Sequence, residues 1–209
     1  MTRPLLLATR NKGKVREFEH LLASVDGLRV LTLRDVGETP EVVEDGDTFE
    51  ANARKKATEI ARATGLLVLS DDSGLEVDAL HGRPGVHSAR YAGDSASDAA
   101  NNQKLIAELQ GLAVPQERRT ARYRVVLALA EPDGAQARVV HIEQATCEGR
   151  IRLLPSGDQG FGYDPYFEPA GFTCSMAELS LDQKNKISHR AKATAPMCRF
   201  LVDYLAAGR

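Results

Sequence analysis

Apolar positions along this 209-residue chain alternate between short aliphatic runs and longer stretches at helical spacing. Leu5-Leu6-Leu7-Ala8 reads as a buried strand. Val15, Phe18, Leu21, Leu22 and Val25 then recur on one helix face, with Asn11 as the predicted N-cap. Residues 28–33 predict a second strand. A helix follows from Asp47 or Thr48 to about Thr64, with Ala53, Ala57, Ile60 and Ala61 inward and Gly65 as its stop. Leu66-Leu67-Val68-Leu69 predicts a third strand that ends at Ser70, so Asp71-Asp72-Ser73-Gly74 at its C-terminal edge is either a plain polar turn or a pair of acids delivered to a site on an open α/β sheet. Gly82-Arg83-Pro84-Gly85 predicts a turn, and Ser97-Asp98 opens a helix through Leu109. The runs 121–130 and 137–146 flank Pro132-Asp133-Gly134 and predict a β-hairpin, with Tyr123, Val125, Leu127 and Leu129 on one face. Residues 187–205 are mostly helical in pattern and should dock Ile187, Ala191, Leu201, Val202 and Leu205. A kink or restart is expected at Pro196.

Composition narrows the function. Hydrophobic residues at 43% and charged ones at 27% describe an ordinary soluble globular chain, and residues 1–209 suit one large domain or two lobes sharing a core. A net charge of −2 argues against a general nucleic-acid coat, while leaving room for a small anion at a local basic cluster. Cys147, Cys174 and Cys198 form neither a disulfide framework nor a metal knuckle and fit a reducing compartment. The leading apolar run is too short for a signal peptide and no segment has membrane length, so the expectation is a cytoplasmic protein with neither membrane nor nucleic acid as partner.

Four stretches carry candidate chemistry. Thr9-Arg10-Asn11-Lys12-Gly13-Lys14, between a strand and a helix N-terminus, suits an anion, or is a solvated turn with surface lysines. It is not a Walker A loop, because Ala8 and Val15 stand where that motif needs Gly and Ser or Thr. The run from 38 to 50 holds Glu38, Glu41, Glu44, Asp45, Asp47 and Glu50 with no base. That is a solvated loop, or a source of one carboxylate ligand for a hard cation such as Mg²⁺. The Gly/Pro-rich stretch 155–171, with Phe172, carries Phe161, Tyr163, Tyr166, Phe167 and Phe172; these rings cover a core or form a stacking platform for a nucleobase. Lys184, Lys186, His189, Arg190 and Lys192 are a basic segment, a solvated helix end or a set of donors. His20, His81, His87 and His141 are scattered and read as ordinary histidines. Ser73 lacks both a nearby His and a GxSxG setting, which rejects a serine nucleophile.

Thr9-Arg10-Asn11-Lys12-Gly13-Lys14, Thr48-Phe49-Glu50-Ala51-Asn52-Ala53, Asp71-Asp72-Ser73-Gly74-Leu75, Ser88-Ala89-Arg90-Tyr91, Gly160-Phe161-Gly162-Tyr163-Asp164-Pro165 and Ile187-Ser188-His189-Arg190 occur in one order across nearly the whole chain. In this the chain resembles the inosine triphosphate pyrophosphatase family, which removes noncanonical purine nucleotides. Two departures stand out. Arg10 occupies a place where the family often has Gly, and Ala51 one where a Glu often precedes the Asn, so the metal ligand of the acidic run is placed at Glu44.

The resemblance implies an elongated, two-lobed α/β fold with a central mixed, twisted sheet flanked by helices and a nucleotide cleft between the lobes. It implies Mg²⁺-dependent hydrolysis of ITP, dITP or XTP between the α- and β-phosphates, and a homodimer. Glu44 and Asp72 would hold Mg²⁺, with Asp72 also the proton acceptor. Thr9, Arg10, Asn11, Lys12, Gly13 and Lys14 would hold the phosphates, and Ser73 the substrate. Phe161, on its loop with Gly162 and Tyr163, would stack on the purine, with Asp164, Lys184, His189 and Arg190 around its edge. The competing readings are a pyrophosphatase for another modified nucleotide and a nucleotide sensor that does not hydrolyse.

Overall fold

In the computed structural model, which describes residues 2–208, the N-terminal strands are parallel neighbours. β1 (Arg3–Leu7) pairs with β2 (Leu28–Thr32) on one side and with β3 (Leu67–Val77) on the other. Parallel pairing requires crossovers, and α1 (Lys12–Leu22) and α2 (Phe49–Thr64) lie in them. β4 (Thr120–Asp133), β5 (Gln136–Ile151) and the short β6 (Phe167–Pro169) complete a mixed six-stranded sheet in the order β2-β1-β3-β4-β5-β6, with β6 antiparallel to β5. The expected hairpin is present and turns at Gly134, whose φ is 59°.

Helix boundaries follow local chemistry. Asn11 caps α1 and Thr48 caps α2, while Gly65 ends α2 in the left-handed region at φ 68°. Ser97 caps α3 (Asp98–Gly111) through the N–H of Ala100. No described helix is long and apolar enough to cross a membrane.

Three expectations are corrected. β3 does not stop at Ser70. It runs for 11 residues to Val77, so Asp71, Asp72, Ser73 and Gly74 are strand, and all but Ser73 among them are buried. Asp71 can stay inside because Lys14 and Arg190 bring it opposite charge, whereas burial of Asp72 raises its pKa. The C-terminal segment breaks at Ser188 and not at Pro196. α4 (Leu181–Ile187) ends there in extended backbone, and α5 (His189–Ala206) contains Pro196. Buried Ala193, Met197 and Leu201 anchor α5 on both sides of the proline and offset its lost hydrogen bond. Val202 is 51% exposed and does not dock.

The chain forms two compact units. The first takes the chain up to Asp72, Val125–Ala145 and everything from Arg190 onward; the second takes Ser73–Arg124 and Thr146–His189. The core of the first is built on Leu5, Leu7, Phe18, Leu69, Leu127 and Leu201. That of the second is built on Leu75, Leu105, Leu109, Tyr123, Ile151 and Phe167. The boundaries thus cut β3, β4 and β5, and Asp72 and Ser73 are successive residues on either side of one of them.

Candidate active site

In the first unit, polar residues stand on the inward stripes of two helices. On α1, Lys14 and Glu17 share the spacing of Phe18, Leu21 and Leu22. Lys14 donates to Asp71 Oδ1. Asp71 Oδ2 accepts from Arg190 Nε at 2.8 Å, and Arg190 Nη1 donates to Glu17 Oε2. Asp71, Arg190 and Glu17 are all buried. Burial alone would raise the pKa of Asp71, but the charges of Arg190 and Lys14 overcome it and hold the carboxyl well below the usual range. Arg190, expected at the purine edge, is therefore placed between two carboxylates of the first unit. Its role there is to balance buried charge and to support Asp71 behind Lys14.

Asp72 is the next residue along β3, and successive strand side chains point to opposite faces, so it meets a different set of partners. Ser70, on the same face as Asp72, donates to Ala53 O of α2 at 2.6 Å. Asn52 and Lys56 lie on the inward stripe of α2 with Phe49, Ala53, Ala57 and Ile60. Asn52 hydrogen-bonds the Asp72 carboxylate, and its Oδ1 accepts from Gly46 N at 2.8 Å, tying the acidic loop to α2. Lys56 pairs with Glu44 of that loop. Asp72 is 5% exposed, and its Oδ2 is buried with no hydrogen-bond partner. Burial pushes its pKa up to about 6; Lys56 and Lys14 pull against this and Glu44 adds to it. Asn52 stands in one of the motifs quoted from sequence but without a role, and Lys56 was not singled out, although their place on an otherwise apolar stripe marks both.

The turn 9–14 differs from expectation in one respect. Three of its amides are already engaged: Asn11 Oδ1 accepts from Gly13 N at 2.8 Å and Lys14 N at 3.1 Å, and Thr9 Oγ1 accepts from Asn11 N at 3.2 Å. Lys12 is exposed, and the exposed Arg10 reaches Thr39 Oγ1 at 3.5 Å. An anion here meets lysine side chains and the helix dipole more than open N–H groups.

In the second unit, Asp164 is the central post. Its Oδ1 accepts from Tyr123 OH at 3.0 Å. Its Oδ2 accepts from Lys184 Nζ at 2.6 Å and Phe161 N at 3.0 Å. With both oxygens so engaged and 3% exposure, Asp164 shapes the loop; it is not placed as a contact to a base edge. Lys184 Nζ lies 4.8 Å from the centre of the partly exposed Phe161 ring. His189 stacks on Tyr123 with centroids 4.8 Å apart. Tyr163 and Phe167 are buried, the core-covering alternative for these rings, and Tyr163 OH donates to Ser88 O at 2.8 Å. Ser73, partly buried at the start of this unit, follows Asp72 along β3.

Gly160 shows how closely the loop is built. Its φ is +77°, and an added Cβ would lie 2.1 Å from Asp164 Oδ2. The Asp164 carboxylate cannot swing aside without releasing its donors. Gly160→Ala is expected to lower stability by roughly 1–3 kcal/mol and to weaken any ligand held by Phe161. Thermal denaturation checks this; an unchanged melting temperature would contradict it.

Among the described residues, no group of three or more His, Cys, Asp or Glu side chains is gathered as a ligand set. Mg²⁺ takes few protein ligands and keeps several waters. Asp72, with a buried unpartnered oxygen and a pKa raised by burial first and by the charge of Glu44 in addition, fits that kind of site.

Comparison with known proteins supplies the context. A model of the Ham1 family matches residues 5–200. A protein of Syntrophobacter fumaroxidans named dITP/XTP pyrophosphatase is 54% identical over 197 residues, which are 93% of this chain and 80% of the relative. The structure of a HAM1 protein from Coxiella burnetii is similar with a TM-score of 0.84 at 36% identity, covering 97% of this chain and 100% of that one. A nucleoside-triphosphatase / dITP/XTP pyrophosphatase from Mycobacterium abscessus is similar with a TM-score of 0.72 at 42% identity, covering 93% of this chain and 98% of that one.

Proposed function

We propose the function from the premise that this chain belongs to the Ham1 family: it hydrolyses noncanonical purine nucleoside triphosphates, ITP, dITP and XTP, to the monophosphate and pyrophosphate. The observation that carries this reading is the buried, unpartnered Oδ2 of Asp72, with Glu44, Lys14 and Lys56 close enough to shift its pKa. A general base needs a raised pKa and an open acceptor atom, and this carboxylate has both.

In this reading the first unit handles the phosphates. Lys14 and Lys56 present positive charge to them, and Asp71 holds Lys14 in place. Asp72 Oδ2 takes the proton of the attacking water. Glu44 and Asp72 would hold Mg²⁺, which when bound polarises phosphate oxygens and acidifies water. The second unit handles the purine. Phe161 stacks on the base, with its ring held under the ammonium of Lys184. Inosine and xanthosine carry a carbonyl at purine position 6, which accepts from an N–H donor such as Lys184; the amine of adenine meets it with another donor. Leaving one or two such contacts unmade, at ~1–3 kcal/mol each, discriminates by about 5- to 10⁴-fold. The same reading takes the enzyme to be a cytoplasmic homodimer acting on free nucleotides and so cleansing the nucleotide pool, consistent with its net charge of −2.

A substrate panel tests the proposal. ITP, dITP and XTP should be turned over with Mg²⁺ and not with chelator, and ATP much more slowly. Binding of ITP without turnover would indicate a sensor. Faster turnover of ATP would remove the assigned specificity.

A further inference from the structure

We propose that Asp98 and Asn102, outside the set assigned to nucleotide contact, are positioning residues: from α3 they fix where the Phe161 ring stands, and so set how sharply purines are told apart. The inference rests on Phe161 being the stacking platform.

Gly162, the residue after Phe161, has φ +63°, in the left-handed region that glycine adopts without the steric cost of a Cβ. Both of its polar backbone atoms are held by α3. Asp98 Oδ2 accepts from Gly162 N at 2.7 Å, and Asn102 Nδ2 donates to Gly162 O at 2.9 Å. Asp98 and Asn102 are four apart on one helix face. They continue into the buried Leu105 and Leu109, so the clamp is rooted in the core of the second unit. Asn101, beside them, does the same for another loop: its Oδ1 accepts from Ala92 N at 2.8 Å and its Nδ2 donates to Ala89 O at 3.1 Å.

An open cleft of about 690 Å³ lies beside the clamp, lined by Asp98, Asn102 and Ile106 of α3 and by Gly160, Phe161 and Tyr166 of the loop. Asp164 holds this loop from within through Phe161 N, and Asp98 and Asn102 hold it from α3 through Gly162. Asn102 is buried while Asp98 is exposed, so Asn102 carries the larger share.

The test compares Asn102→Ala, Asp98→Ala, Asp98→Asn and Phe161→Ala, with kcat and KM for ITP and ATP and calorimetric affinity for pyrophosphate. Asn102→Ala should raise KM for ITP about ten-fold, the scale of one lost hydrogen bond, and narrow the preference for ITP over ATP. Its kcat should stay within about two-fold of the parent and pyrophosphate affinity should be unchanged. Asp98→Ala should shift the same parameters less, and Asp98→Asn, which keeps an acceptor oxygen, should restore them. A parental KM and preference in Asn102→Ala, with Phe161→Ala impaired, would overturn the clamp alone. Equal loss of kcat on both substrates with a lower melting temperature would reduce Asn102 to a structural role and also overturn it. An unimpaired Phe161→Ala would overturn the stacking platform, and the clamp with it.

Discussion

Asp72→Asn is expected to stop turnover and, in the metal-free protein, to raise stability. Loss of a positioned general base costs about 10²–10⁴ in rate, and loss of a cation ligand adds to it, so a fall of at least about 10³-fold is expected. The stability gain follows from burial. The folded-state pKa of Asp72 is about 6, above the ordinary 3.8. The protonated carboxyl therefore contributes stability that is fully present below about pH 4 and is lost as pH rises through about 6. Above that pH the native protein holds a buried anion, at a cost of up to about 3 kcal/mol. An asparagine never ionises. With chelator at about pH 8 the variant should melt higher than the parent, and the two should converge near pH 4. Retained turnover would remove both roles from Asp72. A variant that melts lower at about pH 8 would refute the burial argument.

Arg190→Met is expected to be the most destabilising single change in the site. It leaves the carboxylates of Asp71 and Glu17 buried without the guanidinium that joins them. Removing one partner from such a network costs about 3–5 kcal/mol. Activity on ITP and ATP should then fall together. The pH dependence has the opposite sign to that of Asp72. Asp71 is held well below its ordinary value, so it contributes stability above about pH 4 that is lost only as pH falls toward its folded pKa. In the variant that contribution shrinks, and the gap between parent and variant should narrow on acidification. Urea denaturation at about pH 6 and about pH 3 measures this. A stable variant with a loss confined to ITP would return Arg190 to the purine edge.

Much of the fold was legible because local signals agreed with one another. Asn11, Thr48 and Ser97 cap the expected helices, Gly65 ends α2, and the hairpin turns at Gly134. What misled was polarity. Asp71-Asp72-Ser73-Gly74 looked like a turn because two adjacent acids seldom lie in a buried strand, and sequence does not display the Lys14, Arg190 and Asn52 that partner them. Arg190 looked like a ligand donor because its neighbours in sequence are basic, whereas its neighbours in space are acidic.

One signal was read only at Lys14. α1, α2 and α3 each carry polar residues on the N-terminal part of an inward stripe: Lys14 and Glu17, Asn52 and Lys56, Asp98 and Asn102. Apolar periodicity alone passes over them. Polar side chains on a stripe that packs inward need partners, and here those partners are Asp71, Arg190, Asp72, Glu44 and the backbone of Gly162.

The products formed from ITP bear most directly on the account. With Mg²⁺ present, chromatography of a single-turnover reaction should show inosine monophosphate and pyrophosphate in equal amounts, with no diphosphate intermediate. Inosine diphosphate with orthophosphate would place the cut at the terminal phosphate and contradict the α–β cleavage assigned to this site.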